Sequence, residues 1–238
     1  MLDKRVATVT EAVRDIRDGA TILVSGFGGA GSPMELIHAL LDQGARDLTI
    51  VSNNAGNGHI GLAALLAAGR IARIVCSFPK SSDSTVFDGL YRAGKVELEL
   101  VPQGTLAERI RAGGSGIPAF FTPTGAGTPL EAGKEVRTFG GRPHLLEHAI
   151  QGDFALVKAW RGDRWGNLVY NKTARQFGPI MCQGAKVAIV QVREIVDLGT
   201  LDPEAVATPS IFVKRIVEVA QPVEEHELLK QGLKRIPQ

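Results

Sequence analysis

Apolar and polar positions alternate differently in the two halves of the chain. In the first half, "TVTEAVRDIRDG" reads as a helix, opened by Thr8 and Glu11 at capping-box spacing and stopped at Gly19. "TILVS" follows as a short apolar strand. "SPMELIHALLDQG" reads as a helix with Ser32 as N-cap, Pro33 at the first position and Glu35 at the third, closed by Gly44. "DLTIVS" is a second strand, "IGLAALLAAG" a buried helix ending at Gly69, and "IARIVCSF" a third strand. "STVFDGLYRAG" then reads as a helix, "VELELV" as a fourth strand, and "TLAERIRAGG" as a helix ended by its glycines. Strict alternation with short connections predicts right-handed βαβ units. The fold class is therefore α/β, with an open, mainly parallel sheet and helices on both faces.

The pattern changes after residue 112. "GGSGIPAFFTPTGAGTP" is crowded with glycine and proline and reads as a long structured loop, a feature usually tied to function. Beyond it the chain is β-rich: "KEVRTF", "HLLEHAI", "DFALVKAW", "NLVY", "AKVAIVQV" and "SIFVKRIVEV" read as strands. The tail "EEHELLKQGLKRI" reads as a short amphipathic helix. No repeat, low-complexity segment or linker interrupts the chain, so residues 1–238 are expected to form one domain.

The first strand runs into Gly26-Phe27-Gly28-Gly29-Ala30-Gly31, which satisfies G-x-G-x-x-G. Strand, glycine turn and helix start together make an anion site, because free backbone N–H groups and the positive helix end face the ligand. The same residues would equally serve a tight turn that binds nothing. A dinucleotide site needs, in addition, an Asp or Glu at the end of the next strand to hold the ribose. That strand ends in Asn53-Asn54-Ala55-Gly56, so the nicotinamide reading fails there. Asn53 and Asn54 instead present amides at the sheet edge where open α/β folds bind ligands; Asx-turn chemistry is the competing explanation for either. The fourth strand ends in "VPQGT", with Gln103 and Gly104 at its tip. A glycine nest and amides suit a neutral or anionic carbonyl compound better than a metal. No carboxylate is expected in this cleft.

Composition narrows the classes. The 238 residues carry a net charge of +2, so no basic field argues for nucleic acid. The two cysteines, Cys76 and Cys182, form no C-x-x-C and are expected as free thiols in a reducing compartment. The N-terminus shows no signal-peptide core and no apolar run reaches membrane-spanning length, so a cytoplasmic protein is expected. "HLLEH", residues 144–148, fits the H-x-x-E-H zinc pattern. Zinc would need His144 and His148 on one helical face, whereas Pro143 and the flanking β pattern argue against a helix, so no metal is expected.

Several long motifs carry a family resemblance: "GFGGAGSP", "VSNNAGNG", "VPQGTLAERIRAGGSGIPAFFTPTGAGT", "GDFALVKAWRGDRWGN" and "KTARQFGPIM". In this order they resemble the A (alpha) subunit of family I CoA-transferases over about residues 5–220, and the stretch 53–99 resembles the 3-oxoadipate branch. The acetoacetate branch, the alternative, usually carries a Ser-Tyr-Val-Gly-type stretch where this chain has Ser77-Phe78-Pro79-Lys80. The resemblance implies a three-layer fold and a ping-pong exchange of CoA from succinyl-CoA to a 3-oxoacid, with CoA thioester as substrate and no permanent cofactor. A glutamate would pass through an acyl anhydride to a glutamyl-CoA thioester. In two-subunit members that glutamate lies in a Ser-Glu-Asn-Gly motif of the B (beta) subunit. This chain has no Glu-Asn pair, which implies half of a heterodimer or heterotetramer.

By the same resemblance, Ser25, Gly26, Phe27, Gly28, Gly29, Ala30 and Gly31 form the CoA-binding segment, with Ser25 where the family usually has Gly. Asn53 and Gln103, with their neighbours Asn54 and Gly104, match the acid-substrate pocket. Phe27 either shapes that pocket or packs under the loop. Relatives commonly show an Arg where this chain has Asn171, leaving Arg175 at its motif position. Lys80 is either an anion partner for a longer dicarboxylate or a solvated loop lysine. Two other classes stay open at this point: a nicotinamide-dependent oxidoreductase, and a non-catalytic binding module on the same broad fold.

Overall fold

The computed structural model describes residues 2–236. Its centre is a parallel sheet of seven strands, with an eighth short strand at the side. Strands β1 (Thr21–Val24), β2 (Leu48–Ser52), β3 (Ile71–Cys76) and β4 (Glu97–Leu100) come from the first half. β5 (Ala119–Thr122), β6 (Val136–Phe139) and β7 (Arg142–His148) form a separate antiparallel sheet in the order β5-β7-β6. β8 (Gly152–Asp163), β10 (Ala185–Val196) and β11 (Val213–Glu218) return to the main sheet, and β9 (Leu168–Val169) pairs antiparallel with β8. The main order is β11-β10-β8-β1-β2-β3-β4, so β1 stands where the order switches direction. Ligands bind outside the carboxyl ends of the strands at such a switch.

β1 and β2 are short, mainly apolar runs because both of their faces are covered, whereas the edge strand β4, Glu97-Leu98-Glu99-Leu100, alternates charge with leucine and is only partly covered. Ile22, Val24, Ile50 and Ile74 point into a core shared with α1 (Val9–Val13), α2 (Met34–Gln43), α3 (Leu62–Ala67) and α4 (Thr85–Arg92). Leu23, Val51 and Val75, one residue along, point the other way, onto α5 (Gln103–Gly114) and α6 (Gly178–Gly184). The period of two thus divides one sheet between two cores. A last helix, α7 (Glu225–Lys230), lies in the predicted tail.

Several local expectations need correction. The first helix ends at Val13 rather than near Gly19, although Thr8 Oγ1 does accept the Glu11 N–H at 3.1 Å. Ser32 does not cap α2: Pro33 holds the N-cap place, and the Leu36 N–H donates instead to Gln191 Oε1 from β10 at 3.2 Å. Glu35 accepts the Val223 N–H at 2.6 Å, so a tertiary contact replaces the local cap. The long loop after α5 contains β5, whose partner β7 lies beyond the range of local pattern. α5 does end at its glycines, Gly113 and Gly114, but it begins two residues earlier than the pattern indicates, at Gln103. A Cβ on Gly114 would sit 2.6 Å from Gln183 O, and one on Gly184 2.7 Å from Ile110 Cγ2, so these glycines let α5 and α6 pack closely. The sequence pattern does not predict α6, because "GPIMCQG" combines a proline with packing glycines.

"HLLEH" lies on β7, with His144 half-buried and His148 exposed. Four residues of strand separate them by about 13 Å, so the helical H-x-x-E-H geometry does not exist here. Glu147 between them is buried and takes the Lys134 ammonium, with Arg109 Nη1 at 3.8 Å. Cys76 and Cys182 are free and buried, and burial pushes each thiol up to about 12.

Candidate active site

The ends of β1, β2, β3 and the start of α5 meet around a cavity of about 560 Å³. Its lining includes Phe27, Gly28, Gly29, Asn53, Asn54 and Gln103, residues scattered over more than 70 positions of sequence.

The glycine segment leaves β1 and folds back on itself at once. The Phe27 N–H donates to Ala30 O at 3.0 Å, and the Ala30 N–H to Phe27 O at 3.3 Å. Gly28 and Gly31 have φ of +58° and +75°, which an L side chain rarely adopts. Gly31 also presses on its neighbours: a Cβ there would lie 2.7 Å from Ala174 O. Gly26 and Gly31 are buried, whereas Gly28 and Ala30 are exposed and Gly29 half-buried. Phe27 is exposed and lines the cavity, so it does not pack under the loop.

Ser25 is placed differently from the expectation of a ligand-facing residue. It is buried, its Oγ donates to Gly31 O at 2.8 Å, and it accepts the Lys158 N–H at 3.2 Å. The hydroxyl closes the loop onto its own far end and onto β8. The Ser25 side chain is therefore used internally and does not narrow the open face.

Asn53 is the hub of the site. Its side chain is buried; Nδ2 donates to Ser77 Oγ at 3.1 Å and to Gln103 Oε1 at 3.2 Å, while Oδ1 accepts the Gly28 N–H at 3.4 Å. One amide thus ties the ends of β2, β3, α5 and the glycine turn together. Asn54 is mainly a turn former: its Oδ1 accepts the Gly56 N–H at 2.8 Å, as in an Asx turn. Gln103 is the first residue of α5 rather than a loop tip. Its Oε1 is used by Asn53, while its Nε2 has no protein partner among the described residues and is left to donate. The first bond within this turn runs from the Leu106 N–H to Pro102 O, so the N–H groups before it are free to meet an anion. Gly104 is exposed with open space beside it.

Sequence reasoning misses Ser77, Asn57 and Glu225, all of which line the cavity. Ser77 directly follows β3 and is open to the same argument as Asn53, whereas Asn57 lies five residues past the end of β2. Glu225 carries no signal in the sequence. It arrives from α7, and a Cβ on Gly29 would sit 3.0 Å from its Oε2. The expectation that this cleft holds no carboxylate is therefore wrong. Glu225 is buried, its carboxylate has no hydrogen-bond or ion-pair partner among the described residues, and desolvation pushes it up to about 7. Leu228 holds the segment in place on Met34 and Ile60, and Lys158 pairs with Glu224 at 2.6 Å.

A raised acid favours the docked tail in its protonated form. That contribution is complete below the ordinary glutamate value of 4.5 and is lost as pH rises through about 7. Proteolysis after Lys230 and Lys234 should accordingly quicken between about pH 5 and 8, and Glu225→Gln should flatten the profile. An unchanged profile in that variant would exclude Glu225 as the titrating group.

Arg175 lines neither this cavity nor its neighbour. Asn171 borders the neighbouring cavity, of about 660 Å³, together with Lys158, Lys172 and Arg193. Among the described residues, no group of three or more His, Cys, Asp or Glu is placed to hold a metal ion, and no helix is long and apolar enough to cross a membrane.

This arrangement of glycine turn and amides coincides with a family match. Residues 6–219 match the coenzyme A transferase family. The chain belongs to that family. Within it, the chain is 62% identical over 220 residues to the A subunit of 3-oxoadipate CoA-transferase from Pseudomonas putida, covering 92% of this chain and 95% of that one. It is 46% identical over 226 residues to succinyl-CoA:3-ketoacid coenzyme A transferase 2A, mitochondrial, of Rattus norvegicus, covering 87% of this chain but only 43% of that longer protein. The fold is that of a solved acyl-CoA transferase apoenzyme from Escherichia coli O157:H7, with a TM-score of 0.82 and 24% identity over 93% of this chain and 48% of that one. As a coenzyme A transferase the protein is an enzyme component, and the nicotinamide reading finds no support. Glu225 lies outside the family match, which stops at residue 219.

Proposed function

We propose that this chain is the A subunit of a two-subunit CoA-transferase that moves CoA from succinyl-CoA to 3-oxoadipate. One observation carries the reading: the glycine turn, Asn53 and Gln103 share one cavity in a chain that matches its 3-oxoadipate CoA-transferase relative almost end to end. The partial coverage of the longer mitochondrial relative supports a division into two halves. The relatives named for 3-ketoacids, on which the acetoacetate alternative would rest, are less similar, at 48% and 46% identity.

In this reading a glutamate on the B subunit attacks the succinyl-CoA thioester, giving a mixed anhydride and CoA thiolate. The thiolate then attacks the glutamyl carbonyl, releasing succinate and leaving a glutamyl-CoA thioester. The acceptor acid reverses both steps. This chain's part is to bind and polarise. Gly28, with open space beside it, offers a surface without a side chain for close approach of the thioester. The Gln103 amide and the α5 N-terminus hold the acid's carboxylate and stabilise charge developing on the acyl oxygen. Asn53 keeps that amide oriented. The reaction is that of a cytoplasmic catabolic enzyme, with CoA bound only as substrate.

Competition between 3-oxoadipate and acetoacetate for succinyl-CoA tests the assignment in the enzyme assembled with its B subunit. The expected result is a higher kcat/KM for 3-oxoadipate. A preference for acetoacetate overturns the assignment.

A further inference from the structure

The cavity that holds Asn53 and Gln103 has a single basic side chain in its lining, Lys80. It stands three residues past Ser77 at the end of β3, on a segment fastened to the site's own hub. The Phe78 N–H donates to Asn53 O at 3.0 Å, and the next stretch is tied down by the Asp83 N–H on Asn57 Oδ1 at 2.9 Å. The backbone carrying Lys80 is thereby held at both ends by asparagines that also line the cavity. Its ammonium is engaged only loosely, 3.6 Å from Asp88 Oδ2, and its side chain is 65% exposed. A long, flexible cation at the rim of a pocket of neutral amides can turn toward a ligand at little cost.

The chemistry of the substrates supplies a matching charge. Succinate and 3-oxoadipate each keep one free carboxylate after the other has entered the thioester. Acetoacetate keeps none. The amides and the α5 N-terminus are occupied by the reacting end, so the second carboxylate needs a different partner. The carboxyl of Glu225, in the same lining, offers no positive charge to it. Resting on the function proposed above, we infer that Lys80 is the specificity residue that pairs with the free distal carboxylate of dicarboxylic substrates. It touches the end of the acid remote from the chemistry, so it contributes binding common to ground and transition states. Its loss should raise KM with little change in kcat.

The test uses the assembled enzyme with saturating succinyl-CoA as donor and either 3-oxoadipate or acetoacetate as acceptor. Wild-type turnover of 3-oxoadipate is measured first; its absence would sink the proposed function and not this inference. Lys80→Met should then lower the ratio of kcat/KM for 3-oxoadipate over acetoacetate by roughly tenfold, the scale of one partly solvated charge pair, mostly through KM. Lys80→Arg should keep the wild-type ratio, and Lys80→Glu should lower it further. An equal loss on both acids, or an unchanged ratio in Lys80→Met, overturns the inference.

Discussion

Purified without its B subunit, this chain is expected to show no CoA-transferase turnover, a complete loss relative to the assembled enzyme. The chemistry requires a carboxylate that attacks a thioester, oriented in a cleft and partly desolvated. The carboxylate placed at the cavity, Glu225, meets the second condition but not the first: nothing among the described residues hydrogen-bonds it, and it stands on a six-residue helix beyond the family match. Glu35, Glu99 and Glu147 are committed to structural partners. Once the B subunit is mixed in and succinyl-CoA is supplied, the complex should accumulate a glutamyl-CoA thioester. Borohydride reduction and peptide mass analysis should locate the reduced residue on the partner. Finding it at Glu225, or turnover by this chain alone, would refute the two-subunit reading. Glu225→Gln in the assembled enzyme is expected to retain turnover.

Gln103→Ala in the assembled enzyme should lower kcat/KM by roughly 10²–10³-fold, the usual effect of removing one well-aimed donor from a site of developing negative charge. Gln103 is exposed and opens α5, so its truncation leaves the core untouched and assembly should be normal. Asn53 would keep its bond to Ser77 and so its position. The sharper variant is Gln103→Glu. Glutamate can still accept from Asn53 Nδ2, but it cannot donate toward an anion and repels one, so its loss should exceed that of Gln103→Ala. Near-normal turnover in Gln103→Ala, with the complex intact by gel filtration, would remove Gln103 from the site.

The comparison of Ser32 with Thr8 shows how far local pattern carries. The spacing predicts a helix cap at both, and only Thr8 forms one with its own helix. At Ser32, Gln191 on β10 reaches the helix start instead. The alternation of short apolar runs with amphipathic segments is enough to specify the parallel sheet, since a strand covered on both faces must be apolar at nearly every position. The glycine turn, Asn53 and Gln103 are legible for a related reason. In a sheet of this kind ligand residues follow strand ends, and strand ends can be read from where apolar runs stop.

Other features are decided only by the tertiary structure. The pairing of β5 with β7 and the close packing of α5 on α6 depend on contacts between residues far apart in sequence, which no local window contains. The internal use of Ser25 depends on β8 arriving beside β1, 133 residues later. Glu225 is the clearest case. As sequence it is one acid in an acidic, amphipathic tail, where solvent would be its expected neighbour. Burial of Leu228 against Met34 and Ile60 draws the tail across the glycine turn and carries the carboxylate into the cavity, so its environment is fixed by what its neighbours bury rather than by its own chemistry.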